Sequence, residues 1–150
     1  MNAIFRISPR AVTPRLFMSN ILAPAVIKRW AATSGPTTSG NGVVVEVTDA
    51  TFQSAVVDSS KPVLVDFYAN WCGPCRMLTP LLTQAAEAAK GQFVLAKVNI
   101  DHCPDTSDKF RIEAVPTVLL MHKGKVVNSF VGVLPKPQLD AWLDSIKKLQ

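Results

Sequence analysis

Residues 63–75 read VLVDFYANWCGPC, an apolar run that ends in a pair of cysteines. The run from Val63 to Ala69 is nearly unbroken, which predicts a strand in the middle of a sheet that is covered on both faces. Cys72 and Cys75 follow where the strand gives way to a helix. In helix geometry their spacing places the two Cα atoms about 5 Å apart, within the range of a disulfide. The free N–H groups of a first helical turn also favour the thiolate, the nucleophilic form of cysteine. The pattern therefore indicates redox chemistry at a dithiol–disulfide pair.

The segments on either side of this stretch alternate between the patterns of strands and helices. Asp49 is expected to cap the first helix, Pro80 to kink the long second helix, and Gly91 to end it. Lys123-Gly124 predicts the turn of a β-hairpin. Strands are predicted over residues 43–47, 63–69, 93–99, 117–121 and 126–131, and helices after residue 49, over 72–90, around 106–110 and at the C-terminus. This order predicts an α/β domain with a central mixed β-sheet that is flanked by helices on both faces.

The excess positive charge of the chain is confined to its N-terminal end. The whole chain has sixteen basic and eleven acidic residues, a net charge of +5, yet no acidic residue precedes Glu46. Five basic residues stand before that point, and without them the basic and acidic residues are equal in number. The charge is therefore no argument for a nucleic-acid partner, and none is expected. Three cysteines are also too few for a secreted scaffold that is held together by disulfides.

Residues 1–31 are typical of a mitochondrial targeting presequence, which is removed from the mature protein. They carry arginines scattered among apolar residues and contain no acidic residue. Cleavage is expected near Ala31 or Ala32. The longest apolar run, Ile21 to Ile27, is far shorter than the roughly 20 residues that span a bilayer, so no membrane insertion is expected. Three prolines count against a long amphipathic helix. A plastid transit peptide and an unstructured basic tail are the alternatives.

Residues 32–42 are small, polar and turn-rich, which predicts a flexible linker. Residues 43–150 are expected to form one domain.

This domain resembles a known family. Residues 63–75 resemble the active-site segment of thioredoxins, and three downstream motifs match in order and spacing: Lys97–Asp101, Val115–Thr117 and Val131-Gly132. The resemblance implies the thioredoxin fold and the activity of a protein-disulfide reductase. With the leader, the similarity is greatest to the mitochondrial members of the family, which implies a location in the mitochondrial matrix.

The resemblance assigns roles to the two cysteines and to the residues between them. Cys72 is expected to be the exposed nucleophile, which attacks a target disulfide and forms an intermolecular mixed disulfide. Cys75 would then resolve that intermediate and release the reduced target. Gly73 and Pro74 lie between the two sulfurs and are expected to tune their potential toward that of a reductant. Pro74 also simply suits the first turn of a helix.

Asp66 is the one carboxylate in the predicted central strand. Leu64 and Tyr68 share its face by strand alternation, so the carboxylate is expected to be buried and its pKa raised. By resemblance, Asp66 would lie behind Cys75 and accept its proton, and Lys97 would be its buried lysine partner. The alternative is a structural hydrogen-bonded pair without catalytic effect.

Four residues are expected to form the surface that meets the substrate. Pro116 resembles the cis-proline of the family, and a cis bond would expose the backbone of Val115 to an incoming peptide, which could pair with it as an added strand. Trp71 and Gly132 would complete a flat apolar rim around Cys72.

The expected reaction needs neither a bound cofactor nor a metal, because the cysteine pair is itself the redox centre. The resemblance implies that electrons come from NADPH through thioredoxin reductase, a flavoprotein that carries FAD. They would pass to peroxiredoxins and other disulfide-containing proteins, which maintains mitochondrial redox homeostasis. The chain is expected to be a monomer, with Cys103 as a free bystander thiol.

Two alternatives to a reductase stay open. One is a disulfide oxidase or isomerase, whose cysteine pair would have a higher reduction potential. The other is a redox-dependent binding module that regulates a partner without turnover.

Overall fold

The structure, a computed structural model, describes residues 37–39 and 43–149, which form one six-stranded sheet with helices on both sides. None of these helices is long and apolar enough to cross a membrane. The strands are β1 (Thr37–Ser39), β2 (Val44–Val47), β3 (Val63–Tyr68), β4 (Val94–Asn99), β5 (Thr117–His122) and β6 (Lys125–Val131). The helices are α1 (Asp49–Phe52), α2 (Gly73–Ala88), α3 (Pro104–Lys109) and α4 (Lys136–Asp144), with a π-helical turn at Gln53–Val57 after α1 and a 3₁₀ turn at Ser145–Leu149 after α4.

The strand order in the sheet is β1-β2-β4-β3-β5-β6, which places β3 in the interior. β4 runs parallel to both β3 and β2. β5 runs antiparallel to β3 and to β6, and β1 runs antiparallel to β2. The sheet is therefore mixed, as predicted, and α2 is the crossover helix between the parallel strands β3 and β4.

Side-chain alternation along β3 divides the core into two layers. Leu64 points into a cluster that includes Leu78 of α2, whereas Val65 points into the opposite cluster with Phe52 of α1. Because residues two apart share a face, Asp66 lies on the same side of the sheet as Leu64 and α2. The nearly unbroken apolar strand that was predicted is confirmed, since every residue of β3 except the last is buried.

One strand lies inside the stretch that was predicted as a linker. β1 pairs antiparallel with β2, with Thr38 opposite Val45, and so covers one edge of the sheet. An edge strand pairs with its neighbour through backbone hydrogen bonds, so a sequence of small polar residues gives little indication that it forms a strand. The predicted presequence, residues 1–31, lies outside the residues that the structure describes.

The start of α1 differs from the prediction. Thr48, not Asp49, holds the N-cap position, and its backbone N–H donates to the Thr51 hydroxyl over 2.9 Å. The Asp49 carboxylate instead accepts a hydrogen bond from the N–H of Thr106 over 2.8 Å and another from its hydroxyl, at the start of α3. The first N–H groups of a helix have no partner within it, so a carboxylate from a neighbouring helix can bind them. Asp49 thus caps α3 rather than its own helix.

The long helix α2 lies within two residues of its predicted bounds. Cys72 is its N-cap residue, and Pro80 lies inside it. After its last turn the backbone of Gly91 has φ +84°, in the left-handed region that glycine adopts without steric cost. The helix therefore ends before Gly91, as the sequence indicates.

Candidate active site

The two cysteines of the CGPC motif form a disulfide at the N-terminus of α2. Cys72 and Cys75 have their Cα atoms 5.3 Å apart, close to the spacing predicted from helix geometry. The backbone N–H of Cys75 donates to Sγ of Cys72 over 3.2 Å. This N–H belongs to the first turn of the helix, so it would stabilise negative charge on Cys72 when the disulfide is reduced.

Cys72 is less accessible than predicted. In the disulfide form Cys72 is 4% exposed and Cys75 is 2% exposed, so an exposed Cys72 is wrong for this state. The physical reason is its position at the junction of strand and helix, where both cysteines pack with Ala69 and against Tyr68, Ile100 and Val115. Trp71, Gly73 and Pro74, on either side of Cys72 in the chain, are exposed.

Asp66 is fully buried beneath α2, as predicted. The Thr79 hydroxyl donates a hydrogen bond to its Oδ2 over 2.7 Å, and its Oδ1 has no hydrogen-bond partner among the residues described. Burial raises the pKa of Asp66, while the Thr79 hydrogen bond and the charge of Lys97 lower it, and the net result is a pKa of about 6. The predicted burial and raised pKa are confirmed. Thr79 itself was missed, and the only sequence signal for it is its place one helical turn after Cys75.

Lys97 lies opposite Asp66 in the register of β3 and β4. It is not the buried partner that was predicted, because its side chain is 24% exposed and its Nζ lies 4.0 Å from Oε1 of Glu46. The same ammonium lies 5.0 Å from the centre of the Tyr68 ring, in a cation–π contact. Lys97 therefore acts on Asp66 through its charge and is itself held by residues on its outer side.

Glu46, which contacts both Lys97 and Tyr68, was not predicted from the sequence. It lies on β2, and the Tyr68 hydroxyl donates a hydrogen bond to its carboxylate. Burial, followed by this hydrogen bond and the negative charge of Glu46, raises the pKa of Tyr68 well above its ordinary value. The phenol is therefore neutral at physiological pH, and it joins β3 to a strand two places away in the sheet.

A surface cleft of about 300 Å³ lies next to the cysteine pair. Its walls bring Cys75 together with Thr79 of α2 and with Lys97 of β4. The Arg76 guanidinium, also in the wall, donates to the backbone oxygen of Asn70 over 2.9 Å and so ties α2 to the turn that precedes it. The remaining lining residues are Tyr68, Ala69, Asn70 and Pro80.

Three of the predicted substrate-facing residues, Val115, Pro116 and Gly132, lie next to one another beside the cysteine pair. The Val115–Pro116 peptide bond is cis, as predicted, and the Val115 side chain packs against the cysteine cluster. The N–H of Gly132 donates to the backbone oxygen of Pro116 over 2.8 Å, which holds the end of β6 beside the cis bond. Gly132 has φ +83°, a backbone conformation that favours glycine.

Trp71 is largely exposed to solvent. It is 66% exposed, and its indole N–H donates to the carboxylate of Asp101, with the shorter distance 3.1 Å to Oδ2. The ring is thus held in place by a polar contact while its apolar surface stays open to a partner. Asp101 ends one of the motifs that were noted in the sequence, but this contact was not predicted.

Cys103 lies outside the site. It is 1% exposed within the core layer that contains Phe52, and its thiol is 3.4 Å from the backbone oxygen of Val47. Burial, together with the charge of Asp49, raises the pKa of the Cys103 thiol, which keeps it in the unreactive protonated form. This placement agrees with the prediction of a bystander.

Comparison with known proteins gives matches along most of the domain. The thioredoxin family model matches residues 43–145. The chain is 44% identical over 103 residues to a thioredoxin of Chlorobaculum thiosulfatiphilum, which covers 69% of this chain and 95% of that protein. It is 46% identical over 102 residues to a thioredoxin of Acidithiobacillus ferridurans, with 68% and 94% covered. It is also 43% identical over 98 residues to a bifunctional thioredoxin reductase/thioredoxin of Mycobacterium leprae, with 65% of this chain and 21% of that protein covered.

Proposed function

This chain belongs to the thioredoxin family of thiol–disulfide oxidoreductases, and on that premise we propose that it reduces the disulfides of other proteins. The observation that carries the proposal is the disulfide between Cys72 and Cys75 at the start of α2. The cysteine pair is the redox centre, so the reaction needs no further cofactor on this chain.

The proposed reaction starts from the dithiol and proceeds in two exchanges. The Cys72 thiolate attacks one sulfur of the target disulfide, the target S–S bond breaks, and the other target sulfur leaves and takes up a proton. Cys72 is then joined to the target in a mixed disulfide. Cys75 loses its proton and attacks Sγ of Cys72, which forms the Cys72–Cys75 disulfide and releases the second target thiol. Two electrons and two protons have passed to the target.

Asp66 is the proposed acceptor of the Cys75 proton. With a pKa of about 6, Asp66 is mostly ionised at neutral pH. Because this pKa is close to neutral pH, the carboxylate can take up a proton and release it again. The position of Asp66 supports this role. Asp66 accepts a hydrogen bond from Thr79, and Thr79 lies one turn after Cys75 on α2 and lines the same cleft as Cys75. Lys97 would modulate the carboxylate through its charge.

The proposed substrate surface lies around the cis-proline. An extended segment of the target would pair with the backbone of Val115, and the apolar faces of Trp71 and Val115 would flank the disulfide that is attacked. Gly132 would complete this rim, since it is hydrogen-bonded to Pro116. Gly73 and Pro74 would set the reduction potential of the pair between them.

We also propose the electron donor, the targets and the location. A relative whose name joins thioredoxin reductase to thioredoxin supports a thioredoxin reductase, dependent on NADPH and FAD, as the donor for this chain. Peroxiredoxins and other disulfide-containing proteins are the proposed targets. The arginine-bearing, acid-free leader at residues 1–31 supports delivery to the mitochondrial matrix, with the chain acting there as a monomer of the mitochondrial type.

The proposal is tested by following NADPH oxidation in a mixture of the full chain, a thioredoxin reductase and a disulfide-containing protein. Turnover is expected with the natural chain and with Cys103→Ser, and none with Cys72→Ser. Cys103→Ser is the matched control because it removes a thiol outside the site. A folded natural chain that its reductase reduces but that passes no electrons to any protein disulfide would contradict the proposal. A measured potential well above that of a reductant would favour an oxidase or isomerase instead.

A further inference from the structure

Thr79 makes the one side-chain hydrogen bond to Asp66 among the residues that the structure describes. Its hydroxyl donates to Oδ2 over 2.7 Å, and the opposite oxygen, Oδ1, has no such partner there. Asp66 is fully buried. A buried carboxylate oxygen without a hydrogen bond costs free energy, and buried polar atoms are normally paired, so this exception points to a function.

The helix geometry relates this hydrogen bond to the reacting sulfur. Cys75 and Thr79 are four residues apart on α2, so they lie on one face, one turn from each other. Both line the same cleft, together with Lys97. The Thr79 hydroxyl therefore stands between the carboxylate of β3 and the helix turn that carries Cys75.

We propose that Thr79 is a positioning residue for disulfide exchange: its hydroxyl holds Oδ2 of Asp66 and leaves Oδ1 as the atom that accepts the proton of Cys75. The inference rests on the proposed function and adds to it the group that orients the proton acceptor. In the step concerned, the S–H proton of Cys75 passes to Oδ1, directly or through water. The Cys75 sulfur forms a bond to Sγ of Cys72, and the bond from Cys72 to the target sulfur breaks. The target sulfur leaves as a thiolate with the electron pair of that bond and then takes up a proton.

Few groups stabilise the ionised form of Asp66 against the free-energy cost of its burial. The charged and titratable groups that act on it are Lys97 from β4 and Tyr68 from β3, and Glu46 of β2 is bonded to Tyr68. Cys75 of α2 lines the same cleft as Thr79 and Lys97. Only Thr79 donates a hydrogen bond to the carboxylate among the residues described. Loss of this donor should therefore favour the protonated carboxyl, which cannot accept a proton.

The first test reads the carboxyl group itself, by NMR titration of Asp66 in the disulfide form of the full chain. Thr79→Val keeps the shape of the side chain and removes the donor, and it should raise the pKa of Asp66 by about one unit. Thr79→Ser keeps a hydroxyl and should restore the natural value. Thr83→Val is the matched control, because the Thr83 hydroxyl donates to the backbone oxygen of Thr79, on the same helix, and is no part of the site.

The second test reads the step itself, by stopped-flow reaction of the dithiol with a symmetrical disulfide whose thiolate is coloured. One coloured thiolate leaves when Cys72 attacks, and a second leaves when Cys75 closes the ring. The second phase is independent of reagent concentration and should be absent in Cys75→Ser. In Thr79→Val this phase should be about fivefold slower at pH 6, because a rise of one unit in the pKa of Asp66 lowers the ionised fraction from about one half to about one tenth. The first phase should be unchanged.

The outcomes separate the inference from the proposed function. A raised pKa with a slower second phase in Thr79→Val, and recovery of both in Thr79→Ser, supports the role of Thr79. An unchanged pKa, or a raised pKa with an unchanged second phase, overturns it. Both readouts use the disulfide pair and a small reagent, so they remain valid even if the chain fails to reduce protein disulfides. If Thr79→Val does not fold, Thr79→Ala removes the same donor, and an Asp66 pKa that stays at the natural value in that variant overturns the inference.

Discussion

The backbone N–H of Cys75 points at the sulfur of Cys72, to which it donates over 3.2 Å. The two sulfurs of the pair thus have different surroundings. Cys72 receives a donor from the first turn of α2, whereas Cys75 faces the cleft above Thr79 and Asp66. A donor stabilises a thiolate and a nearby buried carboxylate disfavours one. This asymmetry supports the proposed roles, with Cys72 as the attacking sulfur and Cys75 as the sulfur that closes the disulfide.

The first prediction follows from that asymmetry. Cys75→Ser should trap a covalent adduct between Cys72 and a target protein, because the mixed disulfide forms and cannot be resolved. Non-reducing electrophoresis and mass spectrometry of the adduct would identify the linked cysteine. Cys72→Ser should form no such adduct, and Cys103→Ser should behave as the natural chain. Adducts that are linked mainly through Cys75 or Cys103 would reverse the assignment.

The second prediction concerns the effect of Asp66 on stability. Its pKa rises from the ordinary 3.8 to about 6 on folding, so the folded chain binds the proton more tightly than the unfolded chain does. The free energy of unfolding should therefore fall by about 3 kcal/mol in total as the pH rises from below about 4 to above about 6. Asp66→Asn removes this loss and should be more stable than the natural chain at pH 7 by a similar amount.

Urea unfolding of the disulfide form at pH 4, 5, 6 and 7 would measure this effect. The difference between Asp66→Asn and the natural chain should be small at pH 4 and should reach its full size at pH 7. A difference that does not change with pH would show that Asn alters packing rather than charge. The variant should also slow the closing step at pH 7, since it cannot accept the proton of Cys75.

The third prediction concerns the cap that Asp49 places on α3. Asp49→Ala should lower the free energy of unfolding by about 1 kcal/mol, the usual cost of losing a helix cap. Burial raises the pKa of Asp49, but the hydrogen bonds from Thr106 and Asp105 outweigh it and hold the pKa below 3.8. This contribution is therefore present at neutral pH and is lost as the pH falls below about 4.

Chemical unfolding at pH 7 would test the cap, with Asp108→Asn as the control on the same helix. Thr106→Val should reproduce part of the loss, because it removes the hydroxyl but keeps the backbone N–H that Asp49 accepts from. If Asp49→Ala costs no more than Asp108→Asn, the cap contributes nothing to stability.

The fourth prediction concerns Trp71 and the substrate surface. Trp71→Ala should lower kcat/KM for a protein target about tenfold, as expected when an aromatic contact residue is truncated. It should leave the rate with a small aromatic disulfide nearly unchanged, because the reacting sulfurs are untouched. Reduction assays with both substrates would separate the two effects. Asp101→Asn keeps the indole and removes the carboxylate charge, so it is the matched control. An equal loss with both substrates would place the tryptophan in the chemistry rather than in binding.

Local patterns in the sequence were enough to predict the frame of the site. The apolar run before the CGPC motif placed a covered strand, and alternation within it placed Asp66 on an inner face with a raised pKa. The spacing of Cys72 and Cys75 predicted a disulfide distance, because both lie within one helical turn. These features depend on neighbours a few residues apart, so the order of residues alone determines them.

Contacts between elements were decided only by the tertiary structure. Thr79 reaches Asp66 because α2 crosses above β3 at that level, and Glu46 reaches Tyr68 from a strand two places away in the sheet. Asp49 caps α3 rather than α1 for the same kind of reason, since Thr106 lies 57 residues further along the chain. The periodicity of a segment shows which face is buried but not which side chain of another segment meets it. That choice depends on how the elements pack, and it determines which groups surround the two sulfurs.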